Sequence, residues 1–386
     1  MHDHQNFRVC ILTTAHAPDD ERIFHKQALS LAQAGYTVAL VGCWTDQMDS
    51  GPIKKVTLPG FTSRWQRLLQ GPFLAFLAAR RERAGVYHFH DPELLLTGVL
   101  LKLCRARVIY DVHEDYSLKI QARHLPWFIK PLAPHLMRAV EWLGARFFDH
   151  LITADSHVAS LFPPHKTTVI ANYPPLHFVT RDEQLPAATN ERFRIVYVGG
   201  ISLTRGIGQI IAAVDCLADP QLEFHLAGDV KDRELLARIR EHPQIIYHGQ
   251  LPWQNVRQVL AQCHVGMLLF QPTAALPHHP GENIIKLWEY LGFGLPVIIS
   301  DTKKLRALIE QLAVGIAVDP TDPQAIAAAI RTLRDNDTLR QRLAQNGVRA
   351  VRQTRNWEQE AVRLIQVYRQ FAAPLQGPPA PTAQGA

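Results

Sequence analysis

Short apolar runs that alternate with helix-length segments recur through both halves of this chain, and no other feature restricts its fold as tightly. Residues 9–14 read as a strand, Asp20 as the cap of a helix reaching about Ala34, and residues 38–42 as a second strand. Strand, helix and strand in succession imply parallel pairing. Further strands are expected at 86–90, 108–112, 151–154 and 168–171. The pattern restarts at 193–199 and continues at 223–228, 245–249, 265–270, 297–300 and 315–318, each run followed by a helical pattern. Helices at 323–333, 338–352 and 357–371 follow the last of these strands.

A chain of 386 residues is too long for one core and suits two domains of ordinary size. The expected class is therefore α/β, with two doubly wound, Rossmann-like domains facing an interdomain cleft. The expected boundaries are 1–172 for the first domain and 192–356 for the second. Between them, residues 173–191 hold Pro174, Pro175 and Pro186 among polar residues and read as a linker. A last helix covers 357–371, and the Pro- and Gly-rich stretch 372–386 reads as a disordered tail. In such sheets ligands gather at the strand C-termini, so those ends are the place to look for chemistry.

Composition narrows the function classes. Cys10, Cys43, Cys104, Cys216 and Cys263 are scattered, mostly in apolar stretches, with no C-x-x-C pair, so reduced core thiols are expected rather than a disulfide framework or a zinc site. Met1-His2-Asp3-His4 is not a charged region followed by an apolar one, and no run of about 18 apolar residues occurs, so the expected location is cytoplasmic. A net charge of +6 permits anionic ligands or a lipid surface but is too dispersed to argue for nucleic acid.

At the strand ends of the first half stand Thr14-Ala15-His16, then His88-Phe89-His90-Asp91-Pro92-Glu93, then Tyr110-Asp111-Val112-His113-Glu114-Asp115. The absence of G-x-G-x-x-G removes the main support for a dinucleotide-dependent oxidoreductase. His88 reads as a core residue, whereas the positions of His90 and His113 favour function. In the second half, Gly199 and Gly200 form a turn that would let a diphosphate approach the backbone, with Arg205 to neutralise it. Downstream, Glu282, Lys286 and Glu289 fall within about 60° of one another on a helix expected to start beside Gly281, while Ile284, Leu287 and Leu291 cover the opposite side. Free N–H groups at that start suit an anion, and the carboxylates suit sugar hydroxyls. A solvated face held by helix ion pairs would explain the same charges.

Glu289 followed by Gly294-Leu295-Pro296-Val297 resembles the donor-binding helix of the GT-B glycosyltransferases, specifically the retaining family 4. The phrases around Arg22-Ile23-Phe24-His25-Lys26, His90 to Leu95 and Tyr110 to Tyr116 resemble a bacterial surface-polysaccharide branch of that family, and the resemblance runs along most of residues 8–350. It implies that a glycosyl group moves from a nucleoside-diphosphate sugar to a glycan or lipid-linked acceptor with retention, with no cofactor and no metal. The first domain would take the acceptor side and the second the nucleotide sugar. Glu289 would hold the ribose hydroxyls, Lys286 and Arg205 the diphosphate, and the base would stack near 249–253. His113, with His90 and Asp91, would orient the acceptor or the reacting sugar. Two departures stand out. Gly281 occupies the place of the family's first Glu, leaving Glu282 or Asn283 to meet the donor sugar, and Gly200 occupies the place of an expected Arg. These departures keep open a catalytically silent nucleotide-sugar-binding scaffold, and the same architecture also serves sugar-nucleotide epimerases. Two stretches, 61–83 and 123–148, mix Arg and Lys with Trp65, Phe73, Phe76, Trp127, Phe128 and Trp142 and suggest peripheral contact with an anionic membrane at its cytoplasmic face. Packing of the same residues as core is the alternative.

Overall fold

The computed structural model describes residues 7–45, 47–121, 132–179, 192–272 and 284–372. The chain divides into two compact units: residues up to Ala171 together with the chain from Glu360, and Asn172–Gln359.

The first unit holds seven parallel strands in the order β3-β2-β1-β4-β5-β6-β7. They are β1 (Arg8–Leu12), β2 (Thr37–Gly42), β3 (Lys54–Thr57), β4 (Val86–Phe89), β5 (Arg107–Val112), β6 (His150–Thr153) and β7 (Thr167–Val169). Central strands of a parallel sheet are covered on both faces, which is why β4 and β6 are buried at every position. β3 was not expected. Its sequence, Lys-Lys-Val-Thr, sits at the sheet edge with no fully buried residue, so it lacks the apolar run by which the others are recognised.

The helix opened by Asp20 has a π-helical first part, Glu21–Ala28, and an α-helical second part, α1 (Leu29–Gln33). The Asp20 carboxylate accepts the N–H groups of Arg22 and Ile23, as the expected cap should. Further helices include α2 (Arg64–Glu82), α3 (Leu95–Leu103), α4 (Tyr116–Gln121) and α5 (Ala133–Phe147). α3 packs between α2 and α5. Beneath them lie Leu12, Ala75, Ala79, Phe89, Leu101, Tyr110, Ala145 and Phe148. The helix Trp357–Ala372 brings Tyr368, fully buried, into this unit. Of the stretch read as a tail, residues 373–386 lie outside the described residues.

One buried acid ties α5 to the sheet. Tyr110 donates its hydroxyl to Glu141 at 3.1 Å, and burial pushes the Glu141 carboxyl up to about 7 despite that bond. The folded protein thus holds this proton more tightly than the unfolded chain does. Its contribution is fully present below the ordinary value of 4.5 and is lost as pH rises toward about 7. Glu141→Gln should therefore stabilise the protein above pH 7, by up to about 3 kcal/mol, with the difference vanishing near pH 4.5. Thermal unfolding of both proteins across that range checks the sign.

The second unit holds six parallel strands in the order β10-β9-β8-β11-β12-β13. They are β8 (Phe193–Val198), β9 (Leu222–Ala227), β10 (Ile245–Gly249), β11 (Val265–Leu268), β12 (Val297–Ser300) and β13 (Gly315–Val318). Its core is mostly aliphatic, with Ile195, Ile211, Leu226, Met267 and Ile330 packed around Phe224. Part of the stretch read as a linker is packed here: Tyr173 is buried with its ring 5.3 Å from Trp288, and residues 180–191 lie outside the described residues.

Two expectations need correction. The helix read as starting beside Gly281 is described only from Ile285, as Ile285–Gly292, and Gly281, Glu282 and Asn283 lie outside the described residues. Of the five cysteines, all free, only Cys10 and Cys263 are core residues; Cys104, at the C-terminal end of α3, and Cys216, on the outer side of its helix, are exposed. No helix of the described residues is long and apolar enough to cross a membrane.

Candidate active site

In each unit the strand order reverses beside the first strand, at β1/β4 and at β8/β11; the residues singled out above follow β1, β4 and β5 in the first unit and β8 in the second, where the helix Ile285–Gly292 adds Lys286 and Glu289.

In the first unit the turn after β1 is organised by Asp91, which is fully buried. One oxygen accepts the Thr14 N–H at 2.6 Å, the Thr13 hydroxyl at 2.9 Å and the Ala15 N–H at 3.0 Å, and the other lies 2.6 Å from His16 Nδ1. Burial pushes the Asp91 carboxyl up, but the bonds from His16 and from the two backbone N–H groups outweigh it and hold it below the ordinary carboxylate value. Asp91 therefore shapes the loop that presents His16.

A second buried carboxylate, Asp111 on β5, holds the neighbouring histidines. Arg22 grips it with Nε at 3.2 Å and Nη2 at 3.0 Å, spends Nη1 on the Ile170 carbonyl at 2.9 Å, and is itself buried. Gln27 donates a further bond to Asp111. Around Asp111 Oδ2 stand His90 Nδ1 at 3.5 Å, His88 Nε2 at 3.8 Å and His113 Nε2 at 3.9 Å. His90 Nδ1 and His113 Nε2 are 3.0 Å apart, so one ring donates and the other accepts, and His88 Nδ1 lies 2.7 Å from the Tyr368 hydroxyl. Burial dominates all three rings, which pushes His88 and His113 down to about 4 and His90 well below its ordinary value. They are neutral at pH 7.

Exposure separates their roles. The His88 and His90 side chains are 0% exposed, whereas His113 is 14% and His16 34% exposed. An incoming molecule can touch His113 and His16 and can meet His90 only through His113. Neither Arg22 nor Asp111 was among the expected site residues, although both stand inside the phrases that carried the family resemblance.

His88, His90 and Asp111 each offer a ligand atom within 4.8 Å of the others, a spacing that could hold a metal ion. The charge balance does not fit a divalent cation. Asp111 is already neutralised by a bidentate Arg22, and two more positive charges would leave this buried centre uncompensated.

In the second unit, Gly199 follows β8 with φ 123°, in the left-handed range, and any Cβ there would collide with the end of the Lys286 side chain. Lys286 thus lies across the turn from its place on the helix Ile285–Gly292. That helix is pinned to β8 by Tyr290, whose hydroxyl accepts the Val198 N–H at 2.8 Å, and on its inner face by buried Leu287, Trp288 and Leu291. Arg205 stands in the next turn with its guanidinium 5.1 Å from the Phe270 ring. Gly206, φ 75°, caps the helix Ile207–Leu217 with no side-chain bond to its first N–H groups. Burial and the Arg205 charge together lower the pKa of Lys286 from its usual value, with Glu289 opposing them. Gly199, Arg205, Lys286 and Glu289 therefore share one locality, with Gly200 exposed beside it. The Arg205 and Lys286 charges repel, and an anion placed between them would relieve that repulsion.

Residues 180–350 match the family described as glycosyl transferases group 1, and residues 3–173 match the glycosyl transferase 4-like domain. The chain is 24% identical over 305 residues to glycogen synthase of Mycobacterium tuberculosis, an alignment covering 75% of this chain and 69% of that one. Its fold is shared with sucrose-phosphate synthase from Thermosynechococcus elongatus, at TM-score 0.73 and 19% identity over 95% of this chain and 99% of the other. It is shared too with Anabaena HepE, solved with UDP-glucose, at TM-score 0.70 and 12% identity over 95% and 100%. With both halves matched by glycosyltransferase families and the two doubly wound sheets in place, this chain belongs to the GT-B glycosyltransferases and is family 4-like.

Proposed function

We propose that this glycosyltransferase moves a sugar from a nucleoside-diphosphate donor to a glycan or lipid-linked acceptor with retention of configuration, in the synthesis of a cell-surface polysaccharide. The observation that carries the donor assignment is the placement of Lys286 and Arg205 at the Gly199 turn. A diphosphate leaving group gains negative charge as the glycosidic bond stretches, and two cations with the uncapped N–H groups of the helix Ile207–Leu217 would stabilise it without a metal. HepE, with the same fold and solved with UDP-glucose, supports a nucleotide sugar as donor. Glu289 would accept hydrogen bonds from the ribose, and Glu282 or Asn283 would meet the donor sugar. In the first unit, His113 would orient the acceptor or reacting sugar as a neutral imidazole, with His90 and Asp91 acting behind it. A lipid-linked acceptor would place the enzyme at the inner face of the plasma membrane.

Calorimetric titration with UDP-, GDP- and dTDP-sugars tests the donor half. One of them should bind, and Arg205→Ala, Lys286→Ala and Glu289→Ala should each weaken it on the order of tenfold to a hundredfold, the cost of losing a charged hydrogen bond. Wild-type affinity in all three variants would remove the donor site from this turn.

A further inference from the structure

We propose that the outer face of α2, α3 and α5 is a docking surface for an anionic lipid bilayer, held mainly by insertion of apolar side chains and oriented by arginines around them. This rests on the membrane-side reading of the acceptor given above and adds which face meets the lipid and how.

The first observation is the amount of bare apolar surface. Twelve of the fifteen exposed large apolar side chains among the described residues belong to these three helices and the N-cap of α5. On α2 they recur every fourth residue at Trp65, Leu69, Phe73 and Leu77, with Trp65 74% and Leu69 78% exposed. On α5 they recur at Leu132, Leu136, Val140, Leu143 and Phe147, a spacing of three and four residues that keeps one side of a helix. Leu96 and Leu103, seven residues apart on the intervening α3, join the two stripes. Meanwhile Ala75 and Ala79 of α2, Leu95 and Leu101 of α3, and Gly144 and Ala145 of α5 are buried on the inner side. Each helix is therefore apolar on the side turned away from the sheet as well as on the side packed against it. Soluble monomers rarely leave more than roughly a few hundred Å2 of contiguous apolar surface bare.

The second observation is charge. Every exposed charged residue on these helices is an arginine: Arg64, Arg80 and Arg81 on α2, and Arg138 and Arg146 on α5, with Arg83 at the C-cap of α2. The acids of the same helices are withdrawn: Glu82 is paired with Lys54, and Glu141 is buried under Tyr110. Arg146 lies over the exposed Trp142 ring at 4.7 Å, an arrangement suited to the headgroup boundary, where an aromatic body enters the lipid and the guanidinium stays with the phosphates. An apolar face edged by arginines, of which Arg138 also reaches Asp115 at 3.5 Å, is complementary to an anionic bilayer. A second copy of the same face would set arginine against arginine.

The test is flotation of purified protein with phosphatidylcholine vesicles, with and without phosphatidylglycerol, alongside sedimentation of the free protein. Wild type should float with the anionic vesicles as a monomer in their absence. Combined Trp65→Ser, Leu69→Ser and Phe73→Ser substitutions, all at exposed positions, should weaken that binding on the order of a hundredfold even at low salt. Combined Arg64→Glu, Arg80→Glu and Arg81→Glu should abolish the preference for phosphatidylglycerol. Nucleotide-sugar affinity, followed by calorimetry in the same proteins, should not change. A wild-type protein that does not float overturns the proposal, as does a serine variant that floats as well as wild type. Self-association that the serine substitutions disperse, in the absence of flotation, would assign the face to a second copy instead. Donor binding that fails in wild type while flotation succeeds would count against the transferase reading and leave the lipid surface standing.

Discussion

Asp111→Ala is expected to destabilise the first unit by about 3–5 kcal/mol, the cost of leaving one partner of a buried ion pair uncompensated. Arg22 reaches Asp111 through two N–H groups and has no water to fall back on, since both side chains are buried. The carboxylate also accepts from Gln27 and stands within 4 Å of a nitrogen of His88, His90 and His113. Its removal should therefore loosen the histidine cluster together with the π-helical turn that carries Arg22. Asp111→Asn retains the shape and isolates the charge, so it should lose less stability through packing yet still leave the guanidinium unpaired. Removing both members, as Arg22→Met with Asp111→Leu, should recover much of the loss, because the cost lies in the unpaired charge. Urea denaturation of wild type, Arg22→Met, Asp111→Leu and the double variant supplies the double-mutant cycle, with Asp111→Ala and Asp111→Asn measured beside it. An Asp111→Ala protein as stable as wild type would mean that this pair does not hold the unit together.

The fold was legible because its signals are local. Val297–Ser300 announces itself as a buried parallel strand by four consecutive core positions, and Asp20 announces a helix start by a side chain that satisfies two N–H groups. β3 escaped because an edge strand carrying Lys54 and Lys55 has no such run. The π-helical pattern of Glu21–Ala28 escaped because a five-residue hydrogen-bond step leaves no clear mark on hydrophobic spacing. The candidate site was legible only as positions. Strand-end reasoning reached His90, His113 and Gly199, and helical spacing reached Lys286, but the contact between the last two spans the sequence from β8 to the helix before β12, and no periodicity reports it. The same holds for Arg22 and Asp111, 89 residues apart. Both are charged and both are core, the combination that a hydrophobicity pattern assigns to the surface. The stretches with aromatics and arginines had left core packing open as an alternative, and α2 and α5 decide it against that alternative for Trp65, Phe73 and Trp142, which face outward, and for it at Phe76, which packs against the core; Trp127 and Phe128 lie outside the described residues.

His113→Ala is expected to lower the transfer rate about a hundredfold or more at saturating donor and acceptor, while changing donor affinity by less than the donor-turn variants do. Three observations set this expectation. His113 is the member of the buried cluster that retains an exposed edge, its Nε2 is held 3.0 Å from His90 Nδ1, and its ring lies 5.1 Å from that of His16. Its proton affinity fixes the form in which it works. With its pKa pushed down to about 4 by burial, the ring is neutral throughout the physiological range, able to donate or accept a hydrogen bond at a sugar hydroxyl without changing charge. The transfer rate should therefore show no titration between about pH 6 and 8 attributable to this ring. A general base with an ordinary imidazole pKa would instead lose activity as pH falls through about 6.5. His90→Ala provides the contrast. His90 is closed off from substrate, so its loss should act through the orientation of His113 and lower the rate by less than removal of His113 itself, with His90→Gln recovering part of the loss by restoring a donor at that position. Steady-state rates for the three variants at several pH values separate these cases. Wild-type turnover in His113→Ala would move the reacting centre away from the β4 and β5 ends of the first sheet.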